Sequence, residues 1–536
     1  MYSYIRVALL AVFVAVAASA QEKGELTVPE NRANPSSRRI TIKYQRYPST
    51  SKNPGYPIVY LAGGPGGSGV GALQGSRRVL VEALRELGDV IAYDQRGTNE
   101  SGPKMTCDRD YAIDPSKPLD RTAITAIVAA LKPCVDQLRA DGVDLAGYNT
   151  RENAADLEDL RKHLGAEKLV LWGISYGAHL GIATLRDHGA RIDRVILAGI
   201  EGPDDTYKLP SDQQTLIEEL ARRAPGDLVA SIRNLLRELE RSPKKVTITH
   251  PLNGRSAELV MGPLDLQVEV ADRLFNADTF AGLPDFIARI ERGDWTALAL
   301  ASAETRFGRA PSVMSVAMDC ASGISAARRA VIADEAKRTL LGDAINLPFP
   351  EVCAAVNVPD LGDAFRAPLR SNVPALLISG TLDGRTRPRQ AEELRLTMPN
   401  AQHLVIEGAG HSDPLFLSSP KIVEAMKAFL RNEPLRERVI TLPPVQFLPV
   451  RNVVSVPDAV LARYAGTYRF PDNVVRRVIR AGSVLWTMRE GQPPFAIRPS
   501  SETEFFYESG PMTVRFEGNT MIFRNANGEE QRGVKE

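Results

Sequence analysis

Leu169-Val170-Leu171-Trp172-Gly173-Ile174-Ser175-Tyr176-Gly177-Ala178-His179 decides the fold. An apolar run with the composition of a buried strand breaks at Gly173, turns through Ile174-Ser175-Tyr176 and resumes as a helix after Gly177. That is the Gly-x-Ser-x-Gly pattern of a nucleophile elbow. The turn is tight and strains the serine backbone, so side chains in place of the two glycines would collide with the neighbouring strand and helix. The strain holds Ser175 Oγ clear of the backbone, and the following helix aims unpaired N–H groups at an oxyanion forming above it. Patterns this short recur by chance as ordinary strand-to-helix turns. The deciding question is whether an acid and a base follow in the required order.

They do. The apolar run Pro374-Ala-Leu-Leu-Ile-Ser379 ends in Gly380-Thr381-Leu382-Asp383-Gly384, which places Asp383 just past a buried strand, on the same sheet edge as Ser175. A strand over 401–406 leads into Glu407-Gly408-Ala409-Gly410-His411-Ser412, and of six histidines His411 alone follows a glycine-flanked strand end. The order Ser, Asp, His assigns nucleophile, acid and base. Neutral His411 would take the Ser175 proton and later return it to the leaving group, while Asp383 fixes the imidazole tautomer. Upstream, the strand over 57–62 runs into Gly63-Gly64-Pro65-Gly66-Gly67-Ser68-Gly69. No Lys-Ser/Thr pair closes this loop and no Gly-x-Gly-x-x-Gly spacing fits, so a phosphate cradle gives way to the second half of an oxyanion hole. Its donors would be the N–H groups of Gly64, open by one residue, and Tyr176. A further strand ends in Asp94-Gln95-Arg96, read as a scaffold bracing the base of the site.

With 536 residues, 43% hydrophobic and 24% charged, the chain is a globular protein of more than one domain. A net charge of +1 gives no electrostatic case for nucleic acid or an anionic membrane. Arg6, the apolar run 7–18 and Ala18-Ser19-Ala20 read as a signal peptide over 1–20, cleaved before Gln21; the alternative is an uncleaved anchor helix. No cysteine follows the cleavage site and no later segment is apolar for long enough to span a bilayer, so a periplasmic or secreted protein without a membrane anchor is expected. Cys107, Cys134, Cys320 and Cys353 suit two disulfides in such a compartment, 107 with 134 and 320 with 353 being nearest in sequence among three connectivities. No Cys-x-x-Cys occurs and no histidine stands at ligand spacing, so neither a metal nor another cofactor is expected.

The order of elements predicts an α/β class: a mostly parallel sheet flanked by helices over 21–202 and 371–435, interrupted by a helical lid over 203–370. Such a lid would sit above the strand ends where ligands bind in open sheets. A proline-bearing linker over 436–456 precedes short alternating runs over 457–536, a small antiparallel β domain of barrel type.

Several motifs in one order carry a resemblance: Ala62-Gly-Gly-Pro-Gly-Gly-Ser-Gly69, Asp94-Gln-Arg-Gly-Thr-Asn-Glu-Ser101, Tyr148-Asn149-Thr150 with Asp156-Leu157-Glu158-x-x-Arg161, the elbow, Gly380-x-x-Asp383 and Gly408-x-Gly-His411. Over about 25–435 the chain resembles the α/β-hydrolases of the proline iminopeptidase and tripeptidyl aminopeptidase family. The resemblance implies a serine exopeptidase acting at a free N-terminus, and the cysteine pairs 107/134 and 320/353 resemble those of the tripeptidyl group. Ala62 departs from the histidine that proline iminopeptidases carry there. A free α-ammonium needs acidic partners, which the family takes from its lid; Glu201, Asp204 and Asp205 are available. The substrate is thus a peptide, or a small ester if the chain is a carboxylesterase on the same triad; a non-catalytic binding protein on a hydrolase scaffold is the third reading. Tyr464-x-Gly-Thr-Tyr468 and Phe505-Phe-Tyr507 resemble the lipocalin-like β module appended to some serine hydrolases of the β-lactamase type.

Overall fold

The computed structural model describes residues 21–536 apart from 276, 472 and 509, so the signal peptide read at 1–20 lies outside the described residues. Its centre is a nine-stranded sheet in the order β1 (Glu22–Pro29), β2 (Arg39–Tyr47), β4 (Val90–Tyr93), β3 (Ile58–Leu61), β5 (Leu169–Ser175), β6 (Ile192–Ile200), β9 (Ala375–Gly380), β10 (Ala401–Glu407) and β11 (Val439–Thr441). β1–β2 and β2–β4 are antiparallel. The other neighbours, from β4–β3 through to β10–β11, are parallel.

Alternation along these strands divides the core. Val59, Leu61, Leu169 and Leu171 join one buried cluster, whereas Ile58, Tyr60, Val170 and Trp172 join another. Successive side chains point to opposite faces, and helices cover both, so the central strands are apolar throughout. Helix Tyr176–His188 packs on the first cluster through Ala178, Leu180, Ile182 and Leu185.

Between β6 and β9 the chain leaves the sheet for an insertion with a core of its own, drawn mainly from helices between Pro210 and Arg306. The insertion is not wholly helical: β7 (Lys244–Thr249) and β8 (Ser256–Met261) form an antiparallel hairpin. Its signal was present in the alternation of Lys244-Lys-Val-Thr-Ile-Thr249 ahead of Asn253-Gly254. Within the stretch read as a linker, Val439–Thr441 adds to the sheet beside β10. Both expected disulfides form, Cys107 to Cys134 and Cys320 to Cys353, with Cα separations of 5.7 and 5.6 Å. They are compatible with an exported protein.

The C-terminal runs close into an eight-stranded antiparallel barrel, β12 (Gly466–Arg469) to β19 (Glu530–Lys535), shut by pairing of the first strand with the last. Tyr468, Phe505 and Phe516 fill its interior, and Tyr464 from the preceding helix stacks on Phe516 at 4.1 Å. The barrel is the small antiparallel domain that the alternation predicts.

Candidate active site

Ser175 ends β5 with φ 56° and ψ −123°, the strained conformation the elbow requires. Glycine is compulsory on both sides. A β-carbon on Gly173 would lie 2.4 Å from Gly177 O, and one on Gly177 would lie 2.0 Å from Leu61 O. The amides of helix Tyr176–His188 begin immediately, and Tyr176 N–H is among those a helix start leaves without an intrahelical acceptor.

The glycine loop after β3 passes over this turn. A β-carbon on Gly63 would lie 3.1 Å from Ser175 Cβ and 3.8 Å from Ser175 Oγ. Among the described residues neither Gly63 nor Gly64 N–H has a protein acceptor. The loop is held from beneath. Gln95 Nε2 donates to Ala62 O at 2.8 Å, and Asp94 accepts from Ser68 Oγ at 2.8 Å and Val70 N at 3.1 Å. Arg96 makes a separate, fully buried bidentate pair with Asp156, both bonds 2.7 Å. Asp94 and Arg96 thus brace different parts of the site.

Asp383 follows β9 and is fully buried. Burial by itself would raise its carboxyl, yet His411, whose Nδ1 lies 2.7 Å from Oδ2, and Thr386, donating from N and Oγ1 at 2.8 Å each, hold it below the usual carboxylate range. Arg385 N donates to Oδ1 as well, at 2.8 Å. The imidazole edge lies against the strand beside the elbow: a β-carbon on Gly199 would meet His411 Cε1 at 3.0 Å, and the next residue, Ile200, pairs with Ser175 across a one-residue register shift. No hydrogen bond joins Ser175 Oγ to His411 among the described residues; such bonds are commonly long in unliganded sites and tighten around substrate. On another side of the ring Phe275 packs edge-on, centroids 5.2 Å apart.

One insertion helix, Val313–Ser322, touches both the glycine loop and the start of the helix after Ser175. Ser315 Oγ donates to Pro65 O at 2.7 Å, and Met318 Sδ accepts from Tyr176 OH at 2.9 Å. The carboxyl of the next residue, Asp319, has no hydrogen-bond or ion-pair partner among the described residues. Burial pushes its carboxyl well above the ordinary value and the Glu201 carboxylate adds to this, while Lys208 and Arg385 oppose it. Asp319 is not among the acids expected above, although the sequence marks it as the only charged residue in the apolar helix Val-Met-Ser-Val-Ala-Met-Asp-Cys-Ala-Ser. The acids expected instead are internally occupied. Glu201 pairs with Lys208 Nζ at 2.6 Å, Asp205 with Arg328 at 2.6 Å, and Asp204 accepts from Ser325 N and Oγ at 2.6 Å. Of the three, Glu201 alone is electrostatically coupled to Asp319.

A serine protease of Mycobacterium tuberculosis, Hip1, is 30% identical over 190 residues, 34% of this chain and 36% of that protein. A probable proline iminopeptidase of Streptomyces coelicolor is 29% identical over 155 residues, 29% and 36% of the two chains. A tripeptidyl aminopeptidase of Streptomyces lividans is 26% identical over 211 residues, 36% and 38%. The chain spans little more than a third of the length of these relatives. The family of the alpha/beta hydrolase fold matches residues 56–416, from the strand before the glycine loop to just past His411. With that match covering more than half of its length, the chain belongs to the α/β-hydrolase fold family.

Proposed function

We propose that this protein is an exported serine peptidase that releases residues or short peptides from a free N-terminus through an acyl-enzyme on Ser175. The observation that carries the reading is the meeting of three separate chain segments at one sheet edge: the strained serine, the unpaired amides above it, and an imidazole fastened to a buried, ionised Asp383 at 2.7 Å. In this scheme Ser175 Oγ attacks the peptide carbonyl while His411 Nε2 takes its proton. The developing O⁻ lies between Tyr176 N–H and the N–H of Gly64 or its neighbour. His411 returns the proton to the departing amine, then deprotonates the water that hydrolyses the acyl-enzyme.

The names of the relatives favour a peptide over an ester, and charge balance favours a free N-terminus. The Asp319 carboxyl lies beside Tyr176 and near Glu201, whose own charge is taken by Lys208, and a substrate ammonium set against Asp319 would stabilise its ionised form. Asp319 then takes the anchoring role, with Glu201 its partner, and Asp204 and Asp205 hold the insertion together.

Turnover of a tripeptide p-nitroanilide with a free N-terminus, its N-acetyl counterpart and a simple aryl ester tests this. Strong preference for the free peptide is expected. Equal turnover of free and acetylated peptide would overturn the aminopeptidase assignment, and failure of a fluorophosphonate to label Ser175 would overturn the serine-hydrolase reading altogether.

A further inference from the structure

Nothing in the proposed chemistry uses the C-terminal barrel, yet its seam with the insertion is built from buried charge. Asp285 and Arg289 lie one turn apart on helix Leu283–Glu291, with side-chain exposures of 0% and 2%. From the segment ahead of the barrel, Arg451 donates to Asp285 through its backbone N at 2.7 Å and its guanidinium at 2.6 Å. Arg289 pairs with Glu508 of the barrel at 2.5 Å and with Asp294 at 2.8 Å. Arg498, on β15 (Phe495–Pro499), pairs with Asp294 at 2.8 Å and Glu508 at 3.2 Å. Three guanidinium groups thus meet three carboxylates, with Arg451 also lying 4.1 Å over the ring of Phe506. Buried charges are tolerated only in near-ideal pairs, so the network admits one position of this helix against the barrel.

That helix is coupled to the imidazole. Its Phe286 receives Arg273 face-on at 4.0 Å. Arg273 ends helix Pro263–Arg273, and the next two residues reach the triad loops. Leu274 O packs so closely on Gly384 that a β-carbon there would lie 2.2 Å away, and the Phe275 ring meets that of His411 at 5.2 Å. Arg385 lies 5.5 Å over the same phenyl ring. Ahead of the barrel, Leu448 N donates to Ala281 O at 3.0 Å and so fastens the far end of the stretch that carries Phe275.

We infer that the barrel and the segment leading to it form a clamp that holds Phe275 against His411 and thereby positions the imidazole for Ser175. The inference rests on the serine-hydrolase reading above. Phe275 restricts rotation of the ring and keeps water from that side, so that Nδ1 stays on Asp383 while Nε2 faces the nucleophile. Phe275 is a positioning residue, and Glu508, Arg289 and Arg451 act through it.

A double-mutant cycle on the full-length protein separates positioning from mere stability. Glu508→Gln, Phe275→Leu and the double variant are compared by kcat and KM on the free tripeptide anilide, by the acid limb of the pH profile, and by the rate of fluorophosphonate labelling. Each single change is expected to lower kcat and the labelling rate about tenfold with KM held within about twofold, because a displacement well under 1 Å already slows a positioned group. The acid limb moves in the same direction in both, and the double variant is no slower than Phe275→Leu alone. Wild-type kcat and labelling in Glu508→Gln, or a double variant slowed by the product of the single effects, overturns the clamp. An unlabelled wild-type protein instead sinks the hydrolase reading beneath it. If Glu508→Gln does not fold, Arg451→Gln, which removes the guanidinium bonds to Asp285 and leaves Arg289 paired with Glu508, supports the same cycle, and wild-type kcat and labelling in it overturn the clamp equally.

Discussion

The sheet edge beneath Ser175 and the insertion facing it hold their residues by opposite means. At the edge, backbone lies against backbone: β-carbons on Gly173, Gly177 and Gly380 would fall 2.4, 2.0 and 2.4 Å from carbonyl oxygens of Gly177, Leu61 and Ala409. In the insertion and the segment leading into it, side-chain charges do the holding: Glu201 with Lys208 and Asp205 with Arg328, each at 2.6 Å. A backbone contact of that kind has one solution, because any added atom displaces a strand. A charge pair can be exchanged for another of similar reach without moving the sheet. In the proposed scheme the chemistry therefore resides in the half of the site that cannot vary, and the choice of ligand in the half that can.

The hardest way to break this contrast is at the edge. Gly177→Ala places a methyl group 2.0 Å from Leu61 O, between the elbow and the strand carrying the glycine loop. We expect no measurable hydrolysis and a stability loss on the order of 4 kcal/mol or more, read by urea unfolding. An active, normally stable Gly177→Ala protein would mean that the edge yields as the insertion does.

The facing half should respond in specificity. Asp319→Asn keeps the shape and removes the carboxyl that a substrate ammonium would hold ionised, so the preference for free over acetylated peptide in kcat/KM should fall by about 10- to 100-fold, the worth of one charge-assisted hydrogen bond. The sheet should unfold at the wild-type urea concentration. An unchanged preference would take the amine anchor away from Asp319.

What the sequence disclosed follows the same division. The elbow, the glycine loop and the Asp383 and His411 loops were legible because each is a local pattern whose backbone demands a residue type: a glycine where a β-carbon has no room, a polar residue just past a buried strand. Tertiary pairing decided the rest. Glu201, Asp204 and Asp205 looked free in the sequence because their partners Lys208, Ser325 and Arg328 are recognisable only once the insertion folds back. Phe275 gave little sign of reaching the site, since it lies just past a helix end, whereas Asp319 was marked as the one charge in an apolar helix, with nothing local to say where that helix docks. The barrel's alternation was plain, but its charged seam joins residues more than 160 apart, Asp285 to Arg451 and Arg289 to Glu508, which no local pattern records.

The smallest expected effect concerns two carboxylates that burial treats in opposite ways. Asp383, at the edge, is held below its ordinary value by His411 and Thr386 despite complete burial, whereas Glu269, on insertion helix Pro263–Arg273, is pushed up to about 7 by burial, with Asp272 adding and Arg273 opposing. The two depend on pH with opposite sign. Asp383, whose folded value is depressed, contributes stability that is present above its unfolded pKa and is lost as pH falls through the folded one. Glu269, whose folded value is raised, binds its proton more tightly when folded, so the protein loses stability as pH climbs from about 4.5 to about 7. Since 17% of the Glu269 side chain remains exposed, about 3 kcal/mol is an upper bound for that loss. Glu269→Gln removes the titration. Its stability relative to wild type, from urea unfolding at pH 5 and pH 8, should rise with pH, while Asp383→Asn should be destabilised to a similar degree at both, its parent carboxylate being ionised throughout. A Glu269→Gln difference that does not move with pH would show that Arg273, 2.5 Å away, keeps this carboxylate as firmly ionised as the edge keeps Asp383, and the two halves of the site would then differ in geometry alone.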